Sequence, residues 1–210
     1  MELQVQLLMN TLQIGSVYVL FALGLTLIFG VMKIVNFAHG TFFTAAALIV
    51  SSVMIWGVDT AGIPIWFSYL IAFVLALLVV CVIGFVVYFF GFQHVLKDLN
   101  GSFILSIGLL LLLNGTYLLL YGGVPRSIPA VVPGNVTFLG ASLTIQRLLL
   151  MIVAAIITIG LYLLVHRTKL GLSLRAVAED QEAAMLQGIP YRRVALYGFL
   201  IGATLAACAG

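Results

Sequence analysis

The chain has 210 residues, of which 64% are hydrophobic and 7% charged, with a formal net charge of +3. Soluble domains carry about a quarter charged residues, so this balance excludes an ordinary soluble domain and points to the bilayer. The nine Lys and Arg do not form a soluble basic patch, and no nucleic-acid partner is expected.

Six runs carry no Asp, Glu, Lys or Arg: residues 3–32, 34–58, 60–96, 99–125, 148–165 and 194–210. A bilayer core needs about 20 apolar residues as a helix. The predicted spans are 8–31, 41–56, 64–90, 102–121, 146–165 and 194–210, an all-α polytopic helical bundle forming a single domain over 1–210. The first span lacks the basic leading region of a signal peptide.

Between spans 1 and 2 lies "KIVNFAHG". Gly30 closes the apolar run before it, and Lys33 is expected to snorkel to the interface. A polar side chain at membrane depth is costly unless it is paired or lines water, so Asn36 and His39 are pathway candidates together with Gly40. Two readings stay open. The segment is a tight cytoplasmic turn in which His39 caps a helix end or bonds a carbonyl, or it is a broken helix whose second half starts near Gly40 and offers backbone N–H groups to a carboxylate.

Pro64 suits the first turn of span 3. In span 4, "LLLLLNGTYLLL" places Asn114 at mid-depth. It is read as an interhelical hydrogen bond or as a lining of the path. Cys81 and Cys208 lie inside spans and read as small packing residues. The three histidines show no metal-ligand spacing, so neither a metal nor a catalytic set is expected. Ser106 and His39 come nearest to a hydrolase pair, and nothing in the sequence orients them.

Residues 122–145 hold three prolines and should not span, because irregular backbone facing lipid leaves its polar groups unpaired. "VTF" and "SLTI", on either side of Leu139–Gly140, read as a small hairpin. In span 6, Gly198, Gly202, Ala206 and Gly210 recur every four residues, an interval that lets helices approach closely in lipid. The sequence is still apolar at Gly210, and the chain is expected to be the N-terminal part of a longer protein.

Eight of the fifteen formal charges fall in 166–193. Asp180 can cap a helix beginning at Gln181, with Glu179, Asp180 and Glu182 at its positive end. Gly188 suits a left-handed stop, and Pro190 prevents continuation. The product is a helix of about seven residues with Ala183, Ala184 and Gly188 as a small-residue surface. Such a helix does not hold itself in water and needs something to pack on; a groove on a partner would supply it, and the alternative is an ordinary solvated loop helix. Basic residues favour the cytoplasmic side. That places 166–193, 91–100 with Lys97 and 32–40 with Lys33 in the cytoplasm. The N-terminus, 57–63 and 122–145 fall outside, with only Arg126 and Arg147.

"EAAMLQG", residues 182–188, resembles the EAA-x3-G coupling loop of ABC-importer permeases. "VNFAHG" at 35–40, with "RAVAEDQEAAMLQGI" at 175–189 followed by "RRVALYGFLIGATLAACAG", narrows the resemblance to permease subunits of branched-chain amino acid importers. That group also includes urea and short-amide importers. The wider EAA pattern continues with Ile-x-Leu-Pro, where this chain reads "YGFLIG".

The resemblance implies a transport subunit of the bacterial inner membrane and not an enzyme. Its implied partners are ABC ATPase subunits, a second permease subunit, homologous or identical, an external substrate-binding protein and the lipid bilayer. It implies no cofactor on this chain, with ATP and Mg on the ATPase. The residues agree in one respect: no G-x4-G-K-[ST] phosphate loop is present. The competing reading is an ion-coupled carrier, which calls for a mid-span carboxylate. All six acids lie at span ends or in loops.

Overall fold

The computed structural model describes residues 2–210 apart from 97, 129 and 139–140. Its helices are α1 (Glu2–Met32), α2 (His39–Ile55), α3 (Ile65–Phe90), α4 (Leu99–Tyr121), α5 (Ile145–Arg167), α6 (Lys169–Glu179), α7 (Gln181–Leu186) and α8 (Tyr191–Ala209). A π-helical turn, Trp56–Thr60, extends α2. Strands β1 (Asn135–Phe138) and β2 (Ala141–Thr144) pair antiparallel, Asn135 with Thr144 through Phe138 with Ala141. Six of the helices are long and apolar enough to cross a membrane: α1, α2 with its π turn, α3, α4, α5 and α8. The fold is therefore an all-α polytopic membrane bundle with one small hairpin.

The bundle is arranged around α8, which packs against α1, α2 and α3. Half of the apolar window of α8 is buried, against 6% for α4 and for α5, so those two are peripheral. The reason lies in side-chain size. A Cβ on Gly24 would stand 2.7 Å from the Gly202 carbonyl oxygen, and one on Gly202 would stand 2.7 Å from that of Gly24. In lipid, helices associate through such close backbone approach rather than through hydrophobicity. Gly198 and Ala206 extend the same buried stripe, and Gly210 lies against the Phe43 backbone. Phe199 of α8 gathers Phe42, Tyr88 and Phe92 at ring distances of 5.9, 5.8 and 5.2 Å. The Tyr88 hydroxyl donates to the Arg192 carbonyl at 2.7 Å, tying α3 to the start of α8.

The hairpin sits over the first turns of α1. The Gln6 side-chain amide donates to the Ser142 carbonyl at 3.2 Å and accepts from the Ser142 N–H at 2.9 Å. Thr144 then caps α5, its hydroxyl accepting from the Arg147 N–H. The expected turn residues Leu139 and Gly140, and the Lys97 that entered the charge count, lie outside the described residues.

Helix α1 starts at Glu2, before the predicted span 8–31, and the hairpin gives its early turns a partner. It runs to Met32, and Lys33 follows with φ 57. One expectation is corrected: 166–193 is not one short helix in a loop, since α6 precedes α7. Thr168 caps α6 by accepting from the Gly171 N–H at 3.0 Å and donates to the Leu164 carbonyl at 2.6 Å. A Cβ at Gly171 would overlap the Leu164 and Val165 carbonyls, so glycine permits the corner between α5 and α6.

Candidate functional site

Residues 33–38 join α1 to α2 without regular structure. His39, which opens α2, hydrogen-bonds through Nε2 to the Phe21 carbonyl at 3.2 Å. The His39 side chain thus reaches back along α1. Ile34, Asn36 and Ala38 are buried, while Lys33, Val35 and Phe37 are exposed. The segment closes in a turn at 37–38, with the His39 N–H on the Asn36 carbonyl and the Thr41 N–H on the Ala38 carbonyl. The turn reading, with His39 bonding a carbonyl, agrees with this geometry, and the segment folds back into the bundle. Its N-terminal anchor is the Lys33 ammonium, which donates to the Ala178 carbonyl at the end of α6, 2.7 Å away.

Irregular backbone at membrane depth survives only inside protein or beside a water-filled cavity. Here part of the demand is met locally. The Asn36 carboxamide oxygen accepts from the Ala38 N–H at 3.0 Å, and the Asn36 carbonyl accepts from the His39 N–H at 3.1 Å. The Thr41 hydroxyl donates to the Ala38 carbonyl at 2.6 Å. Two buried atoms keep no partner, Asn36 Nδ2 and His39 Nδ1. Asn36 is 2% exposed and His39 1%. With Nε2 donating to Phe21, a neutral His39 ring leaves Nδ1 as an acceptor. The site thus presents one unused donor and one unused acceptor beside the first turn of α2, where the His39 and Thr41 N–H groups are already taken by the Asn36 and Ala38 carbonyls. Gly40 has open space where a Cβ would stand. The ring of His39 meets Phe21 edge-on at 4.8 Å and lies against Gly24. The site is therefore at the α1–α8 crossing, about 12 Å along α1 from Met32 by the helical rise.

Asn36, His39 and Gly40 form one constellation; Asn114 does not join it. Asn114 is exposed on the outer face of α4, a helix whose buried residues are Ser102 and Ser106 at its start. Ser106 donates to the Phe103 carbonyl at 2.9 Å, so its hydroxyl is already engaged. Among the described residues no three metal-ligating side chains cluster.

At the charged end of the bundle, α7 is built as its residues imply. One Asp180 carboxylate oxygen accepts from the Glu182 and Ala183 N–H groups at 2.9 and 3.0 Å. Gly188 takes φ 82 and ends the helix, its N–H bonding the Met185 carbonyl at 3.0 Å. Glu179, Glu182, Ala183 and Gly188 are exposed, whereas Ala184 is 4% exposed and belongs to the core cluster. The small-residue surface is therefore divided: Ala184 anchors the helix, and Ala183 and Gly188 remain outside. Sequence reasoning missed Leu186, 87% exposed at the tip of α7. It also missed α6, although Leu170, Leu174 and Val177 carry the four- and three-residue spacing of a helix face.

Comparison with known proteins adds lineage to this geometry. Residues 7–210 match the family model described as "Branched-chain amino acid transport system / permease component". The chain is 29% identical over 218 residues to the high-affinity branched-chain amino acid transport system permease protein BraD of Pseudomonas aeruginosa, covering 97% of this chain and 68% of that protein. It is 28% identical over 215 residues to the permease protein LivH of Escherichia coli, covering 98% and 68%. Similarity extends to the fructose import permease protein FruF of Bifidobacterium longum, 27% over 205 residues, covering 97% and 53%. No solved structure matches. A polytopic bundle with a re-entrant polar segment and a capped helix at its charged end, matched over nearly its whole length, belongs to the family of branched-chain amino acid transport permeases.

Proposed function

We propose that this chain is the membrane-spanning subunit of an ATP-binding-cassette importer for branched-chain or other small amino acids, driven by a separate ATPase. The observation that carries the coupling is α7: a six-residue helix, held from behind by Ala184 and the Asp180 cap, that presents Glu182, Ala183 and Leu186 outward. A helix this short does not stand alone, and an exposed leucine at its tip suits a groove on a partner. Loop 166–193 then faces the cytoplasm of the bacterial inner membrane and the hairpin faces outside, in accord with the distribution of basic residues. An external binding protein delivers substrate to the hairpin side. A second permease subunit completes the path, and ATP with Mg acts on the ATPase.

The re-entrant segment is the proposed contact with the solute. An amino acid carries donors and acceptors that match Asn36 Nδ2 and His39 Nδ1. Urea and short amides offer the same pairing and remain the alternative substrates.

The test is reconstitution of the chain with its ATPase, second permease and binding protein in proteoliposomes, followed by uptake of labelled leucine and urea. ATP-dependent leucine uptake that Glu182→Lys abolishes supports the proposal. Uptake indifferent to ATP, or driven by a proton gradient, overturns it.

A further inference from the structure

A cavity of about 330 Å³ opens between α1 and α5 near the charged end. Its walls are Leu23 and Leu27 of α1 with Leu161 and Val165 of α5, and His166 and Arg175 line it too. The cavity exists because α1 and α5 pack together elsewhere, where Leu20, Ala154 and Leu205 are buried as one cluster. Gly30, on its α1 side, has open space in place of a side chain. Helix α6 forms a crossbar beneath. One end is fixed by the tight Gly171 corner against α5, and the other by the Lys33 ammonium on the Ala178 carbonyl. Leu174 and Val177 face into the core, and Arg175 remains exposed.

We propose that this crevice is a binding site for an anionic phospholipid. The walls are aliphatic side chains on two membrane-spanning helices, the environment an acyl chain takes. The end that meets the headgroup layer is basic: Arg175 lines it, and Arg167 and Lys169 lie at the adjoining α5–α6 corner. Glu179, one turn further along α6, is not among the lining residues. Basic residues at the membrane surface attract acidic headgroups, so charge selects an anionic lipid over a zwitterionic one of the same chain length. The bound lipid would brace α6, which carries α7 next in the chain. Lipid binding in this crevice requires the membrane setting of the importer reading but not the direction of transport, so its failure and that of the importer reading are separable.

The test is native mass spectrometry of the purified protein in detergent with equimolar phosphatidylglycerol and phosphatidylcholine of identical chains. The expected result is preferential retention of phosphatidylglycerol. Arg175→Gln should lower that preference about five-fold, and Arg175→Lys should restore most of it. Thr26→Trp, which fills the crevice from an exposed wall position, should lower retention of both lipids. It serves as the deciding variant if Arg175→Gln does not fold. Equal retention of the two lipids by the unaltered protein overturns the proposal. So does retention unchanged by Arg175→Gln and Thr26→Trp, or displacement of the lipid by inorganic phosphate at equal concentration. A subunit contact that Thr26→Trp abolishes without any lipid dependence would assign the crevice to a second copy instead.

Discussion

At position 24 little more than a hydrogen atom fits between α1 and α8. Gly24→Ala would press on the Gly202 carbonyl at 2.7 Å and on the His39 ring at 3.1 Å. Overpacking of this kind costs about 1–3 kcal/mol, so a lowered thermal midpoint in detergent is expected. Gly40→Ala meets open space and should leave that midpoint unchanged. His39→Phe keeps an aromatic ring but removes the bond to Phe21 and the unused Nδ1. Leucine uptake should fall at least about ten-fold while the protein still inserts, as expected of a polar group placed at membrane depth for function; full uptake would remove this residue from the path. Asn114→Leu is the contrasting case, since the side chain stands on the outer face of α4. Its half-saturation for leucine should stay near that of the parent, and a large shift would place the outer face of α4 on the path.

Among the elements, α7 is the one whose construction separates anchoring from presentation. Asp180→Ala removes the acceptor for two N–H groups and should cost about 1 kcal/mol of local stability. Hydrogen exchange over 181–187 would register it. Glu182→Lys and Leu186→Asp alter only exposed positions, so both should stop ATP-driven uptake without affecting insertion. Normal uptake in both variants would remove α7 from the ATPase contact. Ala184→Asp should also suppress uptake, for a different reason. It buries a carboxylate in the core cluster, and a lone buried charge is strongly disfavoured. Loss of α7 protection should accompany it, which distinguishes a collapsed anchor from a blocked surface.

For the whole molecule, the decisive property is which end faces which compartment. In a background with Cys81 and Cys208 replaced by alanine, a cysteine at Met185 should react with an impermeant thiol reagent only from the cytoplasmic side. A cysteine at Val136 on the hairpin should react only from outside. The reverse pattern would overturn both the orientation and the site of ATPase contact. The arrangement around α8 also bears on coupling. One helix starts near α7, carries the Gly202 contact and passes the re-entrant segment. In the proposed coupling, a shift of α7 would reach His39 along this helix.

The features legible in the chain alone are those decided within a few residues. Uncharged stretches reported the spans because bilayer thickness sets helix length. Proline content and a β-prone pair of segments reported the hairpin. Asp180, Gly188 and Pro190 bounded α7 because capping and left-handed termination are local chemistry. The α6 face was equally readable from Leu170, Leu174 and Val177, but the acidic cluster after it drew the reading to the shorter helix. What only the tertiary structure decided is the course of 33–38 and the resulting neighbours of Asn36 and His39. The outward residues Val35 and Phe37 are as apolar as the inward Ile34, and Phe37 meets Phe103 of α4 edge-on at 5.2 Å. Burial then leaves no imprint on polarity, and the return of the chain to Phe21 follows from close packing of α1 on α8 rather than from any local pattern.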